Sequence, residues 1–228
     1  MIVSIHQPAY LPWLGYFDKI ARSNLFIWLD TVQFQKSSFQ NRNRILSHNG
    51  PLWLTVPVRT AGVLYDTPLN AIEIDNTRNW QSKHAAALSM NYGRAQCFAD
   101  RFQTLATFYG RPWRLLDDLC WQMLGYFNGL LGISTPIRRA SDITVGGSKS
   151  DLVLNLCKAV GATTYLSGAL GRNYLVLQDF AAAGIAVEFQ DYASPVYRQV
   201  QPGFTANLAI VDLIFNESDP HRVLEQKD

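Results

Sequence analysis

Residues 2–30 read "IVSIHQPAYLPWLGYFDKIARSNLFIWLD", and the order of patterns in this stretch decides the fold class. A short apolar run from Ile2 to His6 is strand-like and empties into the turn His6-Gln7-Pro8. Pro8 and Pro12 keep the next segment extended, because proline and the residue before it avoid helical geometry. From Gly15 onward Phe17, Ile20 and Ala21 share one helical face, and Ser23-Asn24 is a stop signal. "LFIWLDTVQF" then forms a near-continuous apolar run, the pattern of a strand buried on both faces. Strand, turn, helix and strand within about thirty residues make a right-handed βαβ unit with parallel strands.

The chain that follows changes character twice. "FQNRNRILSHNGPLWLTVPV" (39–58) alternates around Asn49-Gly50, the strongest local hairpin signal. "LNAIEID" (69–75) is a candidate strand. From Trp80 to Leu131 apolar residues recur three and four apart, with glycines near the segment ends, which predicts a helical insertion over about 80–132. The last third alternates. "SKSDLVLNLCKAVG" is a helix capped by Ser148 or Ser150 and ended by Gly161, and "ATTYLSG" is a strand. "GRNYLVLQDFAAAG" is a helix, "IAVEFQDY" a strand and "LAIVDLIFN" a closing helix, with a frayed polar tail over the last eight or so residues. The expected fold is α/β, a mostly parallel sheet with flanking helices, a β-hairpin and a helical insertion, in a single domain over 1–228.

With 228 residues, 48% apolar and 17% charged, the chain is an ordinary folded one with room for a sizeable core. A formal charge of +2, without a basic stripe interleaved with aromatics, argues against nucleic acid and against a membrane surface. Cys97, Cys120 and Cys157 are widely spaced in apolar contexts, which fits buried thiols in a reducing compartment rather than disulfides or zinc. No window approaches the ~20 apolar residues of a membrane helix, so a cytoplasmic, soluble protein is expected.

Ligands of parallel sheets bind beyond the carboxyl ends of the strands, and this filter selects the candidate residues. The first strand ends at His6-Gln7-Pro8 and the second near Asp30, with Lys36 beyond it. The strand "TTYL" ends at Ser167-Gly168, followed by Gly171-Arg172, a possible anion cradle at a helix start. His6 is either functional or structural, and no metal-ligand spacing follows it. Asp30 either meets a ribose hydroxyl or magnesium, or closes the strand. In "KSSFQNRNR", strand alternation puts Arg42 and Arg44 on one face and Asn41 and Asn43 on the other. Arginine forks suit phosphate or carboxylate, and paired asparagines in a β context demand a reason. "PVYRQVQPGF" (195–204) is a lid or a surface connection. "GGSKSD" (146–151) is basic and glycine-rich but too short for a Walker motif, and GxSxG, GxxxxGK[ST] and GxGxxG are absent.

"HQPAYLPWLGYFDKI", "DTVQFQKSSFQNRNRI", "WLTVPV", "YLSGALGRNYL" and "SPVYRQV" together resemble, in this order, the WbqC-like protein family. The resemblance implies a protein of O-antigen or other surface-polysaccharide gene clusters, with a glycine-transferring role. Its motif positions here are His6, Gln7, Pro8, Tyr10, Trp13, Asn41, Arg42, Asn43, Ser167, Gly168, Gly171, Arg172, Tyr174, Tyr197 and Gln199.

The first thirty residues are also similar to the opening of nucleotidylyltransferase-type folds, although the HxGH signature is absent. Such folds include enzymes that make an acyl-adenylate and pass the acyl group to an amine. The expected activity is therefore acyl or aminoacyl transfer to the amine of a nucleotide-linked sugar, with ATP and Mg2+ as candidate cofactors and an amino acid as co-substrate. In that scheme His6 and Arg172 are catalytic, His6 titrating near neutrality. Lys36 and Arg42 supply charge, and Tyr10 or Trp13 stacks on sugar or base. The competing class is a non-catalytic nucleotide-sugar binder or assembly protein.

Overall fold

The computed structural model describes residues 1–59 and 67–225. Strand β1 (Ile2–His6) leads through the proline loop into helix α1 (Leu14–Ala21) and back to β2 (Leu25–Trp28). β1 and β2 are parallel, from Val3 opposite Leu25 to His6 opposite Trp28. The hairpin β3 (Arg42–Ser47) and β4 (Gly50–Thr55) stands as a separate antiparallel pair. His48 and Asn49 form its turn, and Gly50 opens β4 at φ +96°, a backbone region that a side chain disfavours. Helices α2 (Trp80–Tyr92), α3 (Phe98–Tyr109) and α4 (Leu116–Leu130) fill the predicted helical stretch.

The remaining elements complete the main sheet. They are β5 (Ile137–Arg139), α5 (Lys149–Ala159), β6 (Thr164–Ser167), α6 (Leu177–Ala182) and β7 (Ala186–Phe189), followed by α7 (Ile210–Asn216) and α8 (Pro220–Glu225). The five strands run parallel in the order β5-β2-β1-β6-β7. The chain therefore steps outward from β1 to β2 and β5, then returns to the other side of β1 for β6 and β7. The reversal places the topological switch point between the carboxyl ends of β1 and β6, the crevice position at which doubly wound sheets bind ligands.

Strand alternation builds two cores. Val3 and Ile5 of β1 and Leu25 and Ile27 of β2 pack with Val153, Leu156 and Cys157 of α5 and Phe180 of α6. Phe26 and Trp28 face the opposite side, against Phe17 and Ile20 of α1, Phe127 of α4 and Phe215 of α7. Each large apolar side chain removed from water in this way contributes about 1.5–3 kcal/mol.

Three expectations need correction, and one strand was not expected. Residues 69–75 form a 3-10 turn (Leu69–Ala71) and isolated bridges instead of a strand, because Ile72 and Ile74 point into the core while the nearby backbone bonds to Leu116 and Arg114. The helix expected from Gly171 is a 3-10 turn (Ala169–Asn173) followed by the short α6. Within it Gly171 N–H donates to the Gly168 carbonyl, and Tyr174 and Leu175 N–H donate to the Gly171 carbonyl. The polar tail forms α8, with Arg222 N–H donating to Asp219 and Val223 buried; 226–228 lie outside the described residues. Finally, Ile137–Arg139, two arginines in three residues, is an edge strand that carried no pattern of its own.

Candidate active site

β1 delivers His6 to the crevice mouth, packed edge-on between Trp13 (5.7 Å) and Tyr16 (4.6 Å). Its Nδ1–H donates to the Gln7 carbonyl at 3.0 Å, which leaves the Nε2 lone pair as an acceptor. Burial, reinforced by the charge of Lys19 and only partly opposed by the Gln7 bond, lowers the imidazole to about 3. His6 is thus neutral at physiological pH and not poised near neutrality.

Lys19 is the residue that the sequence reading passed over. It lies three positions beyond Tyr16 and beside Ile20, inside the buried face of α1, and is 2% exposed. Its Nζ donates to the Ile5 carbonyl at 3.0 Å, at the end of β1, its one hydrogen bond among the described residues. A Cβ added to Gly168, at the end of β6, would lie 3.9 Å from the same nitrogen. The amine therefore spans the two strands that flank the crevice. Burial lowers it to about 7. A lysine embedded in an apolar stripe was the signal available in the sequence.

On the β6 side Ser167 is buried, its hydroxyl donating to the Gly168 carbonyl at 3.1 Å. Gly171 packs against it so closely that an added Cβ would stand 2.0 Å from Ser167 Oγ. Arg172 lies one strand further out, its guanidinium 4.0 Å from the ring centre of Phe189 at the end of β7. Tyr174 is half-exposed and hydrogen-bonded to Tyr165. The element at Gly171 is a 3-10 turn, so no α-helix N-terminus stands there.

A second feature opens between the hairpin and α2. This cleft, of about 750 Å³, is lined by Lys36, Asn41, Arg42, Trp53, Trp80 and Lys83, among others. Alternation along β3 operates as expected. Arg42 and Arg44 both lie over the Trp53 ring, at 4.3 and 5.7 Å, while Asn41 and Asn43 turn inward. Asn41 Nδ2 donates to the Val56 carbonyl, but its Oδ1 and the Trp80 indole N–H have no hydrogen-bond partner among the described residues, although both residues are over nine-tenths buried. Asn43 is committed to the fold, donating to Leu11 and accepting from Arg44 N–H. Trp53 remains 42% exposed with both guanidinium groups over its ring.

The crevice and the cleft are joined. Gln40 Nε2 donates to Gln7 Oε1 at 2.7 Å, and the rings of His6, Trp13, Phe39 and Trp53 touch in succession at 5.7, 5.4 and 5.8 Å. Tyr10 is not part of that rim. It is fully buried behind the cleft, hydrogen-bonded to His84 and Tyr109, so it offers no stacking face to a ligand.

Three more candidates belong to buried polar networks. Asp30 is fully buried, accepting from Ser141 N–H and Oγ–H and lying 3.5 Å from Arg139, which also binds Asp117. It neither closes the strand in solvent nor faces an open ribose site. Tyr197 and Gln199 both donate to the buried Asp212 carboxylate, as does Tyr92. Burial pushes Asp212 up, against the pull of these donors. They tie the 190–208 connection to α7 and β3. Among the described residues, no three His, Cys, Asp or Glu side chains gather at metal-binding distance.

The chain is thus a doubly wound α/β sheet with polar groups at its switch point and a cationic, tryptophan-walled cleft alongside. The chain belongs to the WbqC-like protein family, whose model matches residues 7–223. It is similar to "Uncharacterized protein Rv1507c" of Mycobacterium tuberculosis, 36% identical over 216 residues, which cover 94% of this chain and 93% of that protein. No solved structure matches. No described helix is long and apolar enough to cross a membrane.

Proposed function

We propose that the chain is a group-transfer enzyme of surface-polysaccharide or amino-sugar biosynthesis. It moves an acyl or aminoacyl (glycyl-type) group onto the amine of a nucleotide-linked sugar. The observation that carries this reading is the cleft lined by Lys36, Arg42, Arg78 and Lys83 beside the half-exposed Trp53. The cations meet a diphosphate, and the indole stacks on a base or sugar ring. Asn41 and Trp80 contribute an acceptor and a donor that are unmet among the described residues. His6 and Trp13, at the far end of the aromatic rim, mark where the transferred group meets the sugar.

ATP as the activating co-substrate would be held through the same cations. The one carboxylate among the described lining residues, Asp75, is already bonded by Thr77 and paired with Arg78 at 3.4 Å. The cleft thus suits phosphate charge met by side chains better than charge met by a protein-ligated Mg2+, and no step is routed through ATP.

Calorimetry with nucleotide-diphosphate sugars, ATP, glycine and Mg2+ tests the proposal, with Arg42→Gln and Trp53→Ala as controls. Binding of an amino-sugar nucleotide, weakened tenfold or more in both variants, is expected, and mass spectrometry should show acylated sugar once an activated glycyl donor is added. Absence of nucleotide-sugar binding overturns the proposal, and tight binding without transfer makes the protein a carrier.

A further inference from the structure

We infer that the Lys19 amine, and not the His6 imidazole, takes the proton from the attacking amine at the crevice between β1 and β6. The inference rests on the transfer reading above and names the base that reading lacks. Lys19 Nζ sits at the carboxyl end of β1, held by the Ile5 carbonyl, and Gly168 at the end of β6 places no side chain over it. Two of its hydrogen-bonding positions are unused among the described residues. Among the described residues, the groups around it offer no competing anion. From β1 comes the neutral His6, and from β6 the uncharged Ser167 and Gly168. Asp18, the neighbour on α1, is engaged by Gln190 and by Arg22 at 3.5 Å.

A buried amine without a carboxylate partner stays neutral in part near pH 7, the state a base requires, whereas His6 is too weakly basic for an alkylammonium. In the step itself, the sugar ammonium gives its proton to Lys19 Nζ, and the freed lone pair forms a C–N bond at the acyl carbon. The C–O or C–S bond of an activated acyl donor (an acyl phosphate or a thioester) breaks, and the leaving group departs with the electron pair and with the second proton that the new amide nitrogen sheds. Lys19 then returns the proton to solvent. His6 Nε2 accepts a hydrogen bond from the sugar amine and aims it.

Carbamylation by cyanate, read by peptide mass spectrometry across pH 6–11, tests the amine without any substrate. Lys19 should label at pH 7 ahead of Lys36, Lys83, Lys149 and Lys158, with a midpoint near 7, and Gly168→Val should slow it. An unlabelled Lys19 in the folded protein, or one that titrates with the others, overturns the inference. In the transfer assay Lys19→Met and Lys19→Arg should both lower turnover by about 10²–10⁴-fold. Transfer by Lys19→Met at the wild-type rate and pH profile removes the base role while the transfer reading stands. A correctly titrating Lys19 in a protein that transfers nothing removes the transfer reading, and the base role with it.

Discussion

Replacing Lys19 by methionine removes the amine from the switch point and keeps an unbranched side chain of similar length. In the unfolded chain this lysine titrates near 10.5, and in the folded protein near 7. Between these values the unfolded chain binds more protons, so the wild-type protein gains stability from this group as pH rises. At ~1.36 kcal/mol per pKa unit, burying it costs about 4 kcal/mol at pH 7, about 2 at pH 9 and close to none at pH 11. Methionine escapes that cost but forfeits the bond to the Ile5 carbonyl, worth about 1 kcal/mol. The variant should therefore be more stable by about 3 kcal/mol at pH 7, or ~6–12 °C in midpoint, by about 1 at pH 9, and less stable than wild type near pH 11. Urea unfolding of both proteins at these three pH values measures the difference. A variant that is less stable at pH 7, or a gap that does not change between pH 7 and 9, refutes the reasoning. Stability gained together with activity lost is the pattern of a residue kept for function.

Other perturbations probe the rest of the architecture. His6, lowered to about 3, leaves the folded protein with fewer bound protons than the unfolded chain between there and 6.5. Wild-type stability should fall on acidification through that window and His6→Asn should flatten the loss; a His6 ring-proton NMR titration with a midpoint near 6.5 would refute this. Arg139→Leu strands Asp30 and Asp117 in the core and should cost about 3–5 kcal/mol by chemical denaturation; a loss below 1 kcal/mol would show that the carboxylates do not depend on it. Gly171→Ala drives a Cβ into Ser167 and should cost about 1–3 kcal/mol, with partial recovery in the Ser167→Gly background. Trp53→Ala should leave the midpoint within a few degrees, since the ring is half-exposed, while abolishing nucleotide-sugar shifts in a thermal assay.

The parallel α/β class was legible because hydrophobic period is local. The apolar runs at 2–6 and 25–28, the hairpin glycine and the three-and-four spacing over 80–130 each announce their element without reference to the rest of the chain. The pairing of Arg42 with Arg44 and Asn41 with Asn43 was legible for the same reason, a strand having period two. Elements whose stability is borrowed were not legible. β5 is three residues with two arginines and is a strand only because β2 offers it an edge; residues 69–75 have β-like composition but no partner strand, and bend into the core.

The candidate site divides along the same line. The sequence alone determined that His6 lies at a strand mouth and that Lys36 and Arg42 surround the hairpin. Only the tertiary structure decided that Tyr10, Asn43, Asp30, Tyr197 and Gln199 spend their polar atoms on the fold. It alone decided that strand order brings β6 beside β1, and with it that Lys19 becomes a buried amine between them. The physical reason is desolvation. A side chain's charge state depends on what packs around it, and that packing comes from residues more than a hundred positions away along the chain.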